Sequence, residues 1–486
     1  MNPVLQFIIQ LVQIPAIIVG FIALLGLLLQ KKEVGQVVTG TVKTVLSLLI
    51  IGGGITVLIN ALVPIQKMFA MALPSESVTT FVTFDEAVVS AVQSNTATKL
   101  GTLIGLTLLF GYMFHLLISR ITSQRYVYLT GHMIWVHAGG FAILFYSLGL
   151  PNWAVVLVAS LVDGAYMTFA PAMAQPFMRK ITGTNDVAFA HGQTILNVAA
   201  AGLGKLIGDP KKSTEHINVP KKLNFFRDVA VSTTIVMFIV SFIAAVGAVI
   251  KVGVAGLEGG ENPLTGGQNW IVFTLLQALG FTAGMLIMLY GVRMLIAEIV
   301  PAFEGIGRKV IPNAKPALDV PVIFPFAPNA LIIGLISGFL GQILGMVVLA
   351  LIGLPMPIPS VIVAFFACGA GAIFANATGG VRGAWAGGFM WGFVGWILIS
   401  VAYYVGAFGD LTALGASSLG FTVPDVIIPG LIVHFLFVIG GKWVATAVPV
   451  ILVLALVAIF WQPRLELPKA ETENTENPAD AAASSK

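Results

Sequence analysis

Residues 4–29 carry no charged side chain, and apolar runs of similar length recur as far as residues 427–461 with only short polar gaps between them. No single water-soluble core could hide that much apolar surface, so lipid is expected to be most of the solvent. The composition agrees: 57% of the 486 residues are hydrophobic, 9% are charged, and the mean hydropathy is +0.97. A bilayer-crossing helix needs roughly 20 largely apolar residues, and that criterion gives about eleven spans here. The expected fold is therefore an all-α polytopic membrane protein with re-entrant or broken segments.

The charges orient the spans. Lys31 and Lys32 follow the first run, and Arg120 and Arg125 follow a later one. Basic residues from Arg179 to Arg227 crowd one long loop; Arg308, Lys309, Lys315, Arg382, Arg464 and Lys469 complete the set. With eleven crossings all of these fall on one side, which the positive-inside rule makes cytoplasmic, with the N-terminus outside and the C-terminus inside. The opposite loops, residues 78–96 and 257–269, hold Asp85, Glu86, Glu258 and Glu261. No basic residue precedes the first run, which is as long as a full span, so no removable signal peptide is expected. The net charge of +4 is small and scattered, and no nucleic-acid partner is expected. The single cysteine, Cys368, rules out an intramolecular disulfide and a multi-thiolate metal site. Residues 463–486 are polar and without periodicity, and read as a disordered cytoplasmic tail.

Two segments share a register. "GITVLINALVP" at residues 54–64 and "GVRMLIAEIVP" at residues 291–301 repeat Gly, Leu-Ile and Val-Pro, and they run in opposite directions through the expected topology, as inverted repeats do. Two amphipathic helix ends with a shared proline stop would look the same. Three other stretches, residues 130–140, 182–194 and 317–330, contain Gly, Pro or polar breaks. Broken backbone persists at membrane depth only where protein or a watered cavity faces it, so these stretches are the candidate binding segments.

An ionisable side chain at the centre of a span costs roughly 2.5–3.5 kcal/mol and needs a partner or a task. The candidates are His132, His137, Asp163, His191, Arg293, Glu298, Asp319, His434 and Lys442. Arg293 and Glu298 suit a snorkelling or paired role near a helix end. His132 and His137 lie about 140° apart around a helix axis and cannot share a metal from one regular helix. No metal, no cofactor and no catalytic residue is expected, because neither a ligand spacing nor a nucleophile motif is present. Histidine, carboxamide and carboxylate groups converging from broken segments suit a polyhydroxylated small molecule. The set with that character is His132, His137, His191, Gln193, Asp319 and Asn329. Satisfied polar contacts between helices use the same residue types.

The runs "GTVKTVLSLLIIGGG", "LTGHMIWVHAGG", "FAHGQ", "FFRDVAVSTTIVM", "GVRMLIAEIVPAFEGIGRKVIPNAKPALD", "FPFAPNALIIG" and "FANATGGVRGA" occur in this order across residues 40–461. Together they resemble the ascorbate-specific permease, the enzyme IIC component, of the bacterial phosphoenolpyruvate-dependent phosphotransferase system. The resemblance implies a homodimer of eleven-span chains, each with a substrate-carrying core and a V-shaped scaffold. Scaffold would occupy residues 1–65 and 229–312, core residues 66–228 and 313–426, and a last span residues 427–462. It also implies elevator movement of the core and a separate cytoplasmic IIB protein that phosphorylates the substrate. By matching motifs, His132, His191 and Asp319 carry over as substrate contacts. The chain departs from the ascorbate pattern where Val136-His137 replaces a Gln-Gln pair, where Gly192 stands within a His-Gln-Gln run, and where glycine replaces a serine in the second span. No phosphate-carrying module is evident in the chain, so phosphoryl transfer would come from the partner, with the basic loop at residues 179–227 as its docking surface. An ion-coupled secondary transporter of a small polar solute, with Asp163 or Asp319 as the ion site, is the alternative. An intramembrane enzyme has no motif to support it.

Overall fold

The computed structural model describes residues 15–72, 79–95, 97–217, 229–260, 263–309, 311–417 and 419–462. Most of them are helical: α1 (Pro15–Leu29), α2 (Val34–Ala72), α3 (Asp85–Ser94), α4 (Leu100–Ile121), α5 (Gly131–Ser147) and α6 (Asn152–Thr182). There follow α7 (Thr194–Ile207), α8 (Val229–Glu258), α9 (Trp270–Lys309), α10 (Pro328–Leu351), α11 (Val361–Tyr404) and α12 (Pro424–Ile459). Among the described residues eight helices are long and apolar enough to cross a bilayer, namely α2, α4, α6, α8, α9, α10, α11 and α12. The chain is thus an all-α multi-pass membrane protein. Eight differs from the expected eleven in part because α11 and α12 each hold a left-handed glycine, Gly380 (φ 59°) and Gly441 (φ 72°), where two helical segments join. Residues 4–14 of the first expected span, the basic residues Lys221, Lys222 and Arg227, and the tail at 463–486 lie outside the described residues.

Interrupted helices leave backbone groups that lipid cannot satisfy. Here they pair in two small parallel sheets. One has the order β5–β1–β6, from β1 (Thr80–Thr83), β5 (Met356–Pro357) and β6 (Leu419–Gly420). The other has the order β2–β4–β3, from β2 (Tyr126–Tyr128), β3 (Ala188–Phe189) and β4 (Lys315–Leu318). Every strand leads into a helix: β1 into α3, β2 into α5, β3 into α7, β5 into α11, β6 into α12, and β4 into the 3-10 helix Val320–Phe326. The second sheet lies at the three stretches read as broken in the sequence. The outer edge of β2 is closed by side chains: the Tyr128 amide donates to His115 Nε2 (3.0 Å), and the Ser119 hydroxyl donates to the Tyr126 carbonyl (2.8 Å). His115 Nδ1 in turn lies 2.9 Å from Thr168 Oγ1, so this buried histidine is a strand anchor.

Helices α1, α2, α8 and α9 pack on one another, and α2 and α9 carry the repeated segments, each with an interior proline, Pro64 or Pro301. The pair touches through glycines. A Cβ on Gly54 would lie 2.5 Å from the Met288 nitrogen, and one on Gly284 would lie 2.6 Å from the Leu58 nitrogen. Lys43 and Glu298 form an ion pair across the same two helices at 3.2 Å, which accounts for Glu298. Leucine at position 284 should therefore push the helices apart and cost about 1–3 kcal/mol. Thermal unfolding of the Gly284→Leu protein in detergent should show a lower midpoint, and an unchanged midpoint would contradict this packing.

Candidate functional site

The C-terminal ends of both sheets open onto one cavity of about 360 Å³. The β5–β1–β6 sheet supplies Phe84, Asp85, Glu86, Ser360, Thr422 and Val423; the β2–β4–β3 sheet supplies His132, His191, Gly192, Gln193 and Asp319. Because each strand is followed by a helix, the first turns of α3, α5, α7, α11 and α12 all contribute residues to the wall or stand next to ones that do. Helix N-termini leave amide N–H groups unpaired and carry a partial positive charge. Their convergence favours a ligand rich in acceptor oxygens or bearing negative charge.

Acidic side chains occupy part of this field. Asp319 Oδ1 accepts from the Val320 amide at 2.7 Å, at the start of the 3-10 helix. Asp85 Oδ1 accepts from the Thr422 and Val423 amides at 2.8 and 3.2 Å, and its Oδ2 accepts from the Thr422 hydroxyl. That carboxylate ties the first turn of α3 to the two residues that lead into α12. On the far side, Val63, Lys67 and Ala70 of α2 close the cavity, one helical face at spacings of four and three.

His132, His191 and Asp319, which come from three different segments, meet here. His132 Nδ1 lies 3.9 Å from Asp319 Oδ2, and His191 Nε2 lies 3.9 Å from Asp319 Oδ1. A neutral His191 ring offers one donor and one acceptor. Ligand atoms of the three residues lie within 4.8 Å of one another, so this set could hold a metal ion. Zinc ligation would require them to close to about 3.4 Å. The sequence argument against a metal considered spacings along the chain, whereas three segments assemble this group.

The remaining expected residues divide. Gln193 lines the cavity and donates from Nε2 to the Phe366 carbonyl at 3.2 Å, with its Oε1 unpaired. His137 does not reach the cavity. It is fully buried behind the wall, between the rings of Tyr128 and Tyr166 at 5.8 and 4.6 Å. Its Nε2 would be 2.7 Å from a Cβ at position 192, so two of the departures from the ascorbate pattern, His137 and Gly192, meet in space. Asn329 is also outside the lining: its Nδ2 donates to the Thr214 carbonyl at 3.2 Å and its amide to Glu215 at 3.1 Å. Asp163 is buried beside Gly111, away from the cavity lining, and neither carboxylate oxygen has a hydrogen-bond partner among the described residues.

A family model described as the sugar-specific permease component of the phosphotransferase system matches residues 10–425. The chain belongs to this family. A curated relative, the ascorbate-specific phosphotransferase EIIC component of Mycoplasma pneumoniae, is 29% identical over 431 residues. The alignment covers 80% of this chain and 64% of that relative, so the chain spans less than two thirds of the relative's length. Within the permease cavity, sequence reading missed Asp85, Glu86 and Lys67. A signal for the first two exists, since "FDEAVVS" places two acids in the first turn of a helix, where they complement the helix dipole. Asp85→Ala should leave the Thr422 and Val423 amides unpaired and cost about 1–3 kcal/mol. A lower unfolding midpoint in detergent is expected, with Asp85→Asn less affected; equal midpoints for wild type and the alanine variant would refute the anchoring role.

Proposed function

We propose that this permease carries L-ascorbate, or a related sugar acid or polyol, inward across a bacterial cell membrane, with a separate cytoplasmic IIB protein phosphorylating it on arrival. The observation that carries the reading is the convergence of His132, His191, Gln193 and Asp319 with five helix N-termini on one cavity. Neutral imidazole, carboxamide and carboxylate groups can donate to and accept from several hydroxyls, and the helix termini favour an enediolate or carboxylate oxygen. The name of the Mycoplasma pneumoniae relative points to ascorbate among such solutes. His137 stands behind the proposed site, against Gly192, and Asn329, bonded to Thr214 and Glu215, is left out of it.

An elevator movement fits the way the cavity is divided. Its floor comes from the strand-and-helix segments, while Val63, Lys67 and Ala70 come from α2, which packs with α1, α8 and α9. A sliding of one group past the other would uncover the cavity on alternate sides. In this reading the chain is a homodimer embedded in lipid, with its N-terminus outside and its C-terminus and basic loops inside to meet the IIB protein. The alternative of an ion-coupled transporter draws on Asp163, whose carboxyl is fully buried without a hydrogen-bond partner among the described residues. Product identity separates the two: phosphorylated solute inside vesicles supplied with IIB supports the first, and unmodified solute that collapses with the ion gradient supports the second.

Calorimetric titration of the purified protein with L-ascorbate and a panel of polyols and sugar acids tests the site. Saturable ascorbate binding weakened about tenfold or more by His132→Ala, a loss of about 1.4 kcal/mol, is the expected result. Binding of another solute that still needs His132 would sink the ascorbate assignment. Binding indifferent to the substitution would remove the site.

A further inference from the structure

Asp425 lies outside the cavity lining, yet it is bonded to the segment that presents His191 and Gln193. Its Oδ2 accepts from the Thr194 amide at 2.7 Å, and its Oδ1 accepts from the Ile195 amide at 2.9 Å. These two amides belong to the first turn of α7, which has Gln193 as its N-cap and no side chain of its own to cap it. The Asp425 amide donates back to the Gly192 carbonyl at 3.1 Å. A residue on α12 thus supplies the cap that α7 lacks, and a buried first turn without such partners would leave its donors unpaired.

Tyr166 of α6 completes the arrangement. Its hydroxyl lies 2.6 Å from Asp425 Oδ2 and 3.0 Å from the His191 carbonyl, so its single proton goes to the nearer carboxylate while the carbonyl is close at hand. The Thr194 hydroxyl donates to the same His191 carbonyl at 3.1 Å. Gly192 is held from behind as well, because a Cβ there would lie 2.1 Å from Val423 Cγ1. The backbone of residues 191–195 is therefore clamped from α6 and α12, and the side chains it carries into the cavity have little freedom to move.

We propose that Asp425 and Tyr166 are positioning residues that set ligand affinity by fixing residues 191–195, without touching the ligand. The inference builds on the reading of the cavity as the substrate site. Asp85 ties the lead-in to α12, Thr422 and Val423, to α3, so the cavity residues Asp85, Glu86, His191 and Gln193 hang on one chain of carboxylate-to-amide bonds through residues 422–425. Looser bonds at Asp425 would let the His191 ring drift from Asp319.

The test uses the full-length protein in detergent, with Tyr166→Phe as the mild variant and Asp425→Asn as the stronger one. Ligand-free hydrogen exchange should speed up at the Thr194 and Ile195 amides by about five- to tenfold in Tyr166→Phe, the loss of one hydrogen bond, while amides in the second half of α7 keep their rates. Affinity for L-ascorbate should fall by about the same factor, with a melting temperature close to wild type. Unchanged exchange at residues 194 and 195 would overturn the clamp. Faster exchange with unchanged L-ascorbate affinity, or a lowered melting temperature with unchanged affinity, would assign the pair a packing role and overturn positioning. Failure of the wild-type protein to bind L-ascorbate would instead count against the substrate reading, and the exchange rates would still decide the clamp.

Discussion

Unpaired backbone in a lipid-embedded protein is the constraint from which the rest of this structure follows. A helix satisfies its own amides and carbonyls, so each interruption at membrane depth has to find other partners. Among the described residues, six extended segments between helices pair with one another, three to a sheet. The pairing is parallel, so all three strands of a sheet end on the same side. That geometry fixes where the following helices begin, and their N-termini gather around a single cavity. The polar site is thus a by-product of satisfying the backbone, and the side chains refine it.

Carboxylates then connect the segments. Asp85, Asp319 and Asp425 each accept from backbone amides at a helix or 3-10 start, and each does so close to the cavity. A hydrogen bond from an amide to a carboxylate is stronger than one between neutral groups. Close glycine crossings, such as Gly54 against Gly284, hold helices together elsewhere, and these carboxylate bonds give the site its fixed geometry.

Much of this was legible in the sequence, for definite reasons. Long apolar runs can mean only a membrane fold, and the glycine and proline breaks marked the three stretches that form or follow β2, β3 and β4. His132, His191 and Asp319 stood out because ionisable groups in apolar text are costly. The β5–β1–β6 sheet escaped notice because "TFVT", "MP" and "LG" are too short to carry a period, and their pairing spans more than 300 residues of chain. His137 could not be separated from the cavity residues, since five positions along a helix fix an angle and not which neighbour fills the space. Asp425 does its work through backbone partners 231 and 230 residues away, and His115 through the Tyr128 amide 13 residues on, in the next element; no local pattern announces either.

The central claim is that one ligand touches the ends of both sheets. Hydrogen–deuterium exchange on the purified protein, with and without saturating L-ascorbate, addresses it directly. The account predicts slower exchange in two sets of peptides, one covering residues 84–86 and 422–424 and the other covering residues 131–133 and 191–195, with helices α8 and α10 unaffected. Saturable binding that protects only one set, or that protects neither while slowing exchange elsewhere, would contradict it.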